Sequence, residues 1–180
     1  DARVGQWVQG PGVALFEQMK ETLGALPLIA EDLGLIDQAV IDLVENVGLP
    51  GMKVLQFAFG EGADHLYLPH DHKRDSVIYT GTHDNDTTLG WWESADEQVK
   101  NHVRRYLGVD GHDIVWDLIR ATLRSVGRLA VLPMQDVLTL GSNARMNRPS
   151  LFEGNWRWRM RAEALNLNMA HRLKDLILLY

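Results

Sequence analysis

The stretch Ser76-Val77-Ile78-Tyr79-Thr80-Gly81-Thr82-His83-Asp84-Asn85-Asp86-Thr87-Thr88 passes at a single glycine from β-branched and aromatic residues into polar ones. Its first five residues read as a buried strand. The His, Asp, Asn, Asp succession that follows is costly to bury without partners, so it belongs at the open end of that strand. α/β folds build their sites on such loops, past the carboxyl ends of parallel strands.

On either side, helical and strand patterns alternate. Apolar residues at Val13, Leu15, Phe16, Met19 and Leu23 predict a helix over Val13 to Leu23, stopped by Gly24. Leu26 to Ala30 reads as a short buried strand with Glu31-Asp32 at its end, and Asp37 to Val47 as a helix capped by Asp37 and closed by Gly48. Met52 to Phe59 predicts the next strand, and Tyr67 to His72 reads as loop. Beyond the central strand, helices are expected over Glu97 to Leu107 and Asp113 to Val126, a fourth strand over Leu129 to Leu132, and a closing helix from about Arg161 to Leu178. Strands separated by helical crossovers, with strand runs apolar on both faces, indicate an α/β fold with a parallel sheet covered by helices. A complete (β/α)₈ barrel takes about 250 residues and eight such units, and this chain supplies about half of that.

The 180 residues carry a net charge of −6 with scattered Lys and Arg, which argues against nucleic acid or an anionic membrane as partner. The absence of Cys excludes disulfides, thiolate metal sites and thiol nucleophiles, and suits the cytoplasm. No apolar run approaches the roughly 20 residues of a membrane span. The opening Asp1-Ala2-Arg3, without Met, suggests a processed or excised piece.

Two strand-end carboxylates stand out. Glu31, after Leu-Ile-Ala, suits general-acid work, or else it or Asp32 caps the next helix. Asp84, between His83 and Asn85, suits a nucleophile, a charge stabiliser or a hydroxyl-binding group, with an Asx-turn as the structural alternative. Asp86 is the expected N-cap of the helix that follows. Such a pair, with a neighbouring His, fits glycosyl transfer, where the two carboxyls lie about 5–5.5 Å apart if configuration is retained. His65, His70, Asp71 and His72 match no established metal motif, and no metal or other cofactor is expected. Trp91, Trp92 and Trp116 sit at helical positions and read as core, while Trp156 and Trp158 alternate with Arg in an irregular stretch that they serve to fix.

Several of these segments resemble the amylomaltases, the 4-α-glucanotransferases also called disproportionating enzymes. They are Ile29-Ala30-Glu31-Asp32-Leu33-Gly34, Gly51 to Phe59, Tyr79 to Trp92, Gly154 to Arg159, and the opening Trp7-Val8-Gln9-Gly10-Pro11-Gly12-Val13-Ala14-Leu15-Phe16, all in collinear order. The resemblance implies the C-terminal half of a (β/α)₈ TIM barrel, strands five to eight, with residues 1–180 forming a partial catalytic domain. It implies transfer of α-1,4-glucan segments between maltooligosaccharides through a covalent glucosyl-enzyme intermediate. Glu31 would be the general acid/base and Asp84 the third carboxylate, which grips sugar hydroxyls and stabilises the transition state. His83 and Asn147 would contact substrate. The family nucleophile is a different Asp, in an Arg-Ile-Asp-His-Phe-Arg-Gly-like motif that nothing in this chain matches. Residues 148–152 depart from the family's usual Pro-Gly/Ala turn. The resemblance therefore implies that the isolated chain is inactive, and that it self-associates unless the other half of the barrel is present. It points to the cytoplasm, or to the plastid in a photosynthetic eukaryote. Two rival readings are a metal-dependent hydrolase using His70, His72 and Asp84, and a non-catalytic glucan-binding module.

Overall fold

The computed structural model describes residues 4–6, 8–60 and 65–180, with only the backbone of His65. Residues 1–3 and Trp7, part of the opening motif above, lie outside the described residues. The chain divides into two compact units, 1–52 and 53–180.

In the first unit, α1 (Val13–Leu23) and α2 (Gln38–Val47) occupy the expected segments. Asp37 caps α2 by accepting from the Val40 N–H at 3.0 Å, and Gly48 closes it in the left-handed region. Lys20 Nζ donates to the Val47 carbonyl at 2.9 Å, tying α1 to the end of α2. The strand expected over Leu26 to Ala30 does not form. Proline chemistry explains this: the Leu28 N–H folds back on the Leu26 carbonyl around Pro27. Ala30 donates to the Pro50 carbonyl at 2.9 Å, but Pro50 has no N–H to return. One bond without its reciprocal is not a ladder.

The sheet has three strands among the described residues, β1 (Gly51–Val54), β2 (Ser76–Tyr79) and β3 (Leu129–Val131), in the order β1-β2-β3. β2 and β3 run parallel, with Val77, Ile78 and Tyr79 opposite Leu129, Ala130 and Val131. The expected strand over Met52 to Phe59 is thus shorter than its apolar run. After Val54 the chain tightens into a 3₁₀ turn, Leu55–Ala58, which buries Leu55 and Ala58 and turns Gln56 toward the loop after β2.

Helices α3 (Thr88–Ser94), α4 (Glu97–Leu107), α5 (Ile114–Leu123) and α7 (Leu167–Leu179), with the single turn α6 (Met134–Val137), complete the second unit. α5 is its centre: Ile114, Val115, Leu118, Ile119 and Ala121 are all buried against Ile78, Trp92, Val103 and Leu176. Truncating a fully buried Ile such as Ile119 to Ala would cost about 2–5 kcal/mol. Trp92 and Trp116 belong to this core as expected. α7 begins six residues later than its periodicity suggests, because a 3₁₀ turn (Ala162–Ala164) precedes it and Asn166 supplies the cap to the Met169 N–H.

Candidate active site

β2 and β3 deliver two loops side by side. The loop after β2 carries His83, Asp84, Asn85 and Asp86, and the segment after α6 carries Ser142, Arg145 and Asn147. Asn147 lies 63 residues beyond Asp84, yet its Nδ2 donates to Asp84 Oδ1 at 2.6 Å. His83 Nε2 sits 3.2 Å from the same oxygen. Among the described residues both contacts fall on Oδ1, and the side chain as a whole is 49% exposed. The Asn147 N–H also donates to the His83 carbonyl at 3.1 Å, so the two loops are joined by main chain as well.

Around Asp84, each neighbour has a distinct task. Thr82 N–H and Oγ1 both donate to Asn85 Oδ1, at 2.9 and 2.8 Å, a side-chain closure that reaches back three residues and turns the chain between them. Asn85 is therefore structural, and Asp84, held by His83 and Asn147, forms no Asx-turn among the described residues. The N-cap of α3 is Thr87, which accepts from the Gly90 N–H, and not Asp86. Asp86 faces the other loop instead. Its Oδ2 accepts from Ser142 Oγ at 2.8 Å and lies 3.9 Å from Arg145 Nη1, and Gln56 Nε2 donates to its carbonyl at 3.0 Å. Its Oδ1 accepts the N–H of Thr87 at 2.8 Å, so the carboxylate is shared between the entry to α3 and the other loop, while the cap itself is the Thr87 hydroxyl.

Arg145 is the residue sequence reasoning missed. Its Nη2 donates to the Asp84 carbonyl at 2.6 Å and its Nε to the Asn147 carbonyl at 2.8 Å. One guanidinium thus holds both loops by their backbones. Nothing local in Ala144-Arg145-Met146-Asn147 marks it, because its partners lie in another segment. Trp156 packs against His83, ring centroids 5.2 Å apart and planes tilted by 37°, and its backbone N–H donates to the Met146 carbonyl at 2.7 Å. It adopts φ 61, a costly conformation for a bulky residue, and Arg159 holds its carbonyl. The irregular Trp-Arg stretch does fix a loop, through backbone bonds and a His ring rather than through salt bridges.

Burial raises the pKa of Tyr79, at the end of β2. Burial also raises that of Asp136, against hydrogen bonds from Thr80 and Thr88 that favour the charged form, with the Asp86 charge adding to the rise.

Glu31 lies in the first unit, exposed, at the end of the irregular 26–30 segment. Neither it nor Asp32 caps α2, since Asp37 does. Asp32 Oδ1 instead accepts from the Met52 N–H at 2.6 Å. The His residues proposed for a metal are otherwise engaged. His72 is buried, with Nε2 2.9 Å from the Tyr67 carbonyl, so that nitrogen carries the proton and Nδ1 accepts from Ser125 Oγ at 2.7 Å. His70 Nδ1 meets the Tyr106 hydroxyl at 2.8 Å. No cluster of three metal-ligating side chains occurs among the described residues.

A profile of the 4-α-glucanotransferases matches residues 1–166. The chain belongs to the 4-α-glucanotransferase family. It is 47% identical to the chloroplastic/amyloplastic 4-α-glucanotransferase of Arabidopsis thaliana, over 99% of this chain and 32% of that protein. It is also 47% identical to the 4-α-glucanotransferase of Thermus thermophilus, over 94% of this chain and 36% of that one. Amylomaltase from Streptococcus agalactiae, solved in complex with acarbose, superposes with a TM-score of 0.91 at 36% identity, covering 98% of this chain and 36% of that one. The chain therefore spans about a third of the length of the curated relatives it matches. It shares with amylomaltase an α/β architecture with parallel strands. Among the described residues no helix is long and apolar enough to cross a membrane.

Proposed function

We propose that this chain is the C-terminal half of the catalytic (β/α)₈ barrel of a 4-α-glucanotransferase, acting on α-1,4-glucans and maltooligosaccharides with retention of configuration. The observation that carries the reading is the state of Asp84. His83 and Asn147 fix one carboxylate oxygen of a half-exposed side chain, which suits a group that accepts from sugar hydroxyls and faces developing positive charge. In this reading His83 and Asn147 orient Asp84 and reach the same sugar, and Glu31 protonates the departing glycosidic oxygen, then deprotonates the acceptor. The nucleophile is an Asp outside this chain, so the 180 residues alone carry no transferase activity.

Exposed apolar residues support a piece that expects a neighbour. Leu15, Leu23, Val40 and Ile41 of α1 and α2 face solvent, and β1 and β3 are sheet edges among the described residues. The isolated chain should therefore self-associate, and a monomer by light scattering would count against this. No cofactor, nucleic acid or membrane enters the proposal. The compartment is the cytoplasm, or the plastid in a photosynthetic organism.

The deciding experiment is maltotriose disproportionation by the full-length protein. Glu31→Gln and Asp84→Asn should each lower kcat by orders of magnitude. A glucan-binding module would tolerate Glu31→Gln, and rates within tenfold of the parent for both variants would overturn the assignment.

A further inference from the structure

Asp136 is 1% exposed, and its carboxylate is spent on the chain that carries Asp84. Oδ2 accepts from Thr80 Oγ1 at 2.5 Å and from Thr88 Oγ1 at 2.8 Å, and Oδ1 accepts from the Thr88 N–H at 2.7 Å. Thr80 is the last residue before Gly81, and Thr88 is the first of α3. Both are fully buried. Residues 81–87, with His83 and Asp84 among them, run between these two points. We propose that Asp136 is the positioning residue of the His83–Asp84 loop, one carboxylate that fastens both feet of the loop and so sets where Asp84 stands. The inference rests on the transferase reading for its kinetic test, though not for its geometry.

Three features argue that this is more than a satisfied core group. First, α3 already has its side-chain cap in Thr87, so a buried charge is not required to start the helix. Second, holding a carboxylate in the interior is expensive, and an apolar side chain would fill the space at less cost. Third, the turn presenting Asp136 is itself held in a strained form. Thr139, β-branched, sits at φ 55, with its N–H on the Asp136 carbonyl at 2.8 Å and its hydroxyl taking the Trp116 indole N–H at 3.2 Å. Such strain persists where the surroundings over-determine it.

The carboxylate accepts at both oxygens. An amide keeps the Thr88 N–H on Oδ1 and can hold the two Thr oxygens through Nδ2 if both hydroxyls turn round to accept. That gives a conservative rescue. In the full-length protein, Asp136→Ala should lower kcat for maltotriose by about 30-fold, with KM within about threefold, while Asp136→Asn restores at least a third of the parental kcat. Thr80→Val and Thr88→Val each cut one tie and should lower kcat by about 3- to 10-fold. The ring resonances of His83, in protein labelled at histidine, should shift in the Ala and Val variants and return toward the parent in Asp136→Asn. If Asp136→Ala does not fold, the two Val variants decide, since each keeps two of the three bonds. A folded variant with kcat within twofold of the parent and an unmoved His83 resonance would overturn the proposal. So would a loss of kcat that matches the unfolded fraction. A parent without transferase activity would sink the functional reading alone, because the His83 resonance still reports where the loop stands.

Discussion

Replacing Arg145 by Lys keeps a positive charge in place and removes only the shape of the donor. Arg145 is 22% exposed in its side chain and reaches two carbonyls at once, Asp84 at 2.6 Å and Asn147 at 2.8 Å, from two different nitrogens. A lysine ammonium is a single nitrogen on a flexible stem and cannot match that fork. At least one bond is therefore lost. A hydrogen bond with a charged partner is worth about 1.5–3 kcal/mol, and water at this partly open rim replaces some of it, leaving about 1–2 kcal/mol. If the whole of that appears as a misplaced Asp84 in the transition state, kcat falls by roughly 5- to 30-fold. Because Arg145 holds backbone and does not itself touch the reacting atoms in this reading, KM should move less than kcat. The assay is initial-rate glucose release from maltotriose by full-length protein, alongside the thermal midpoint of each sample. A folded Lys variant with kcat within twofold of the parent would refute the reasoning, since charge alone would then hold the loops.

Two further outcomes follow from the same structure. A methyl group at Gly90 would collide with Ser142 Oγ and approach Asp86 Oδ1 at 2.9 Å, so Gly90→Ala should break the Ser142–Asp86 bond. The expected cost is about 1–3 kcal/mol in a denaturant titration, with a fall in transferase rate, and unchanged stability would show that the contact gives way freely. Burial holds the pKa of His72 below its ordinary value. As pH falls, the unfolded chain therefore takes up its proton first. This contribution to stability is present above about pH 6.5 and is lost as pH falls through the folded-state pKa. The urea midpoint should drop between pH 7 and 5.5 more steeply in the parent than in His72→Gln, and equal slopes would refute the assignment.

How much of this was legible beforehand depended on how far away the deciding contacts lie. α1 and α4 fall on the residues the sequence marks, because the signals are local: each runs to a glycine stop, Gly24 and Gly108, and Asp96 caps α4. Asp37 and Gly48 bound α2 for the same reason. The expected strands at Leu26 to Ala30 and Met52 to Phe59 fared less well. Whether an apolar run becomes a strand depends on a neighbour with both a donor and an acceptor, and Pro50 has only one of them. The placement of Asp86 failed likewise: its local role was helix capping, but Ser142, 56 residues on, offered a partner.

Residue order alone marked the polar run after β2, His83 and Asp84 within it, and, through resemblance, the family to which the chain belongs. Chemistry-bearing side chains clustered past an apolar run leave a one-dimensional trace, and collinear motifs leave another. The tertiary structure decided which of those side chains work together. It set Asn147 and His83 on one oxygen of Asp84 and turned Asn85 and Asp86 to structural tasks. It also gave Arg145 and Asp136, silent in the sequence, the work of holding the loops. Hydrogen bonds act over about 3 Å, and parallel strands bring residues 48 to 63 positions apart within that reach. Sequence spacing alone carries no record of such contacts.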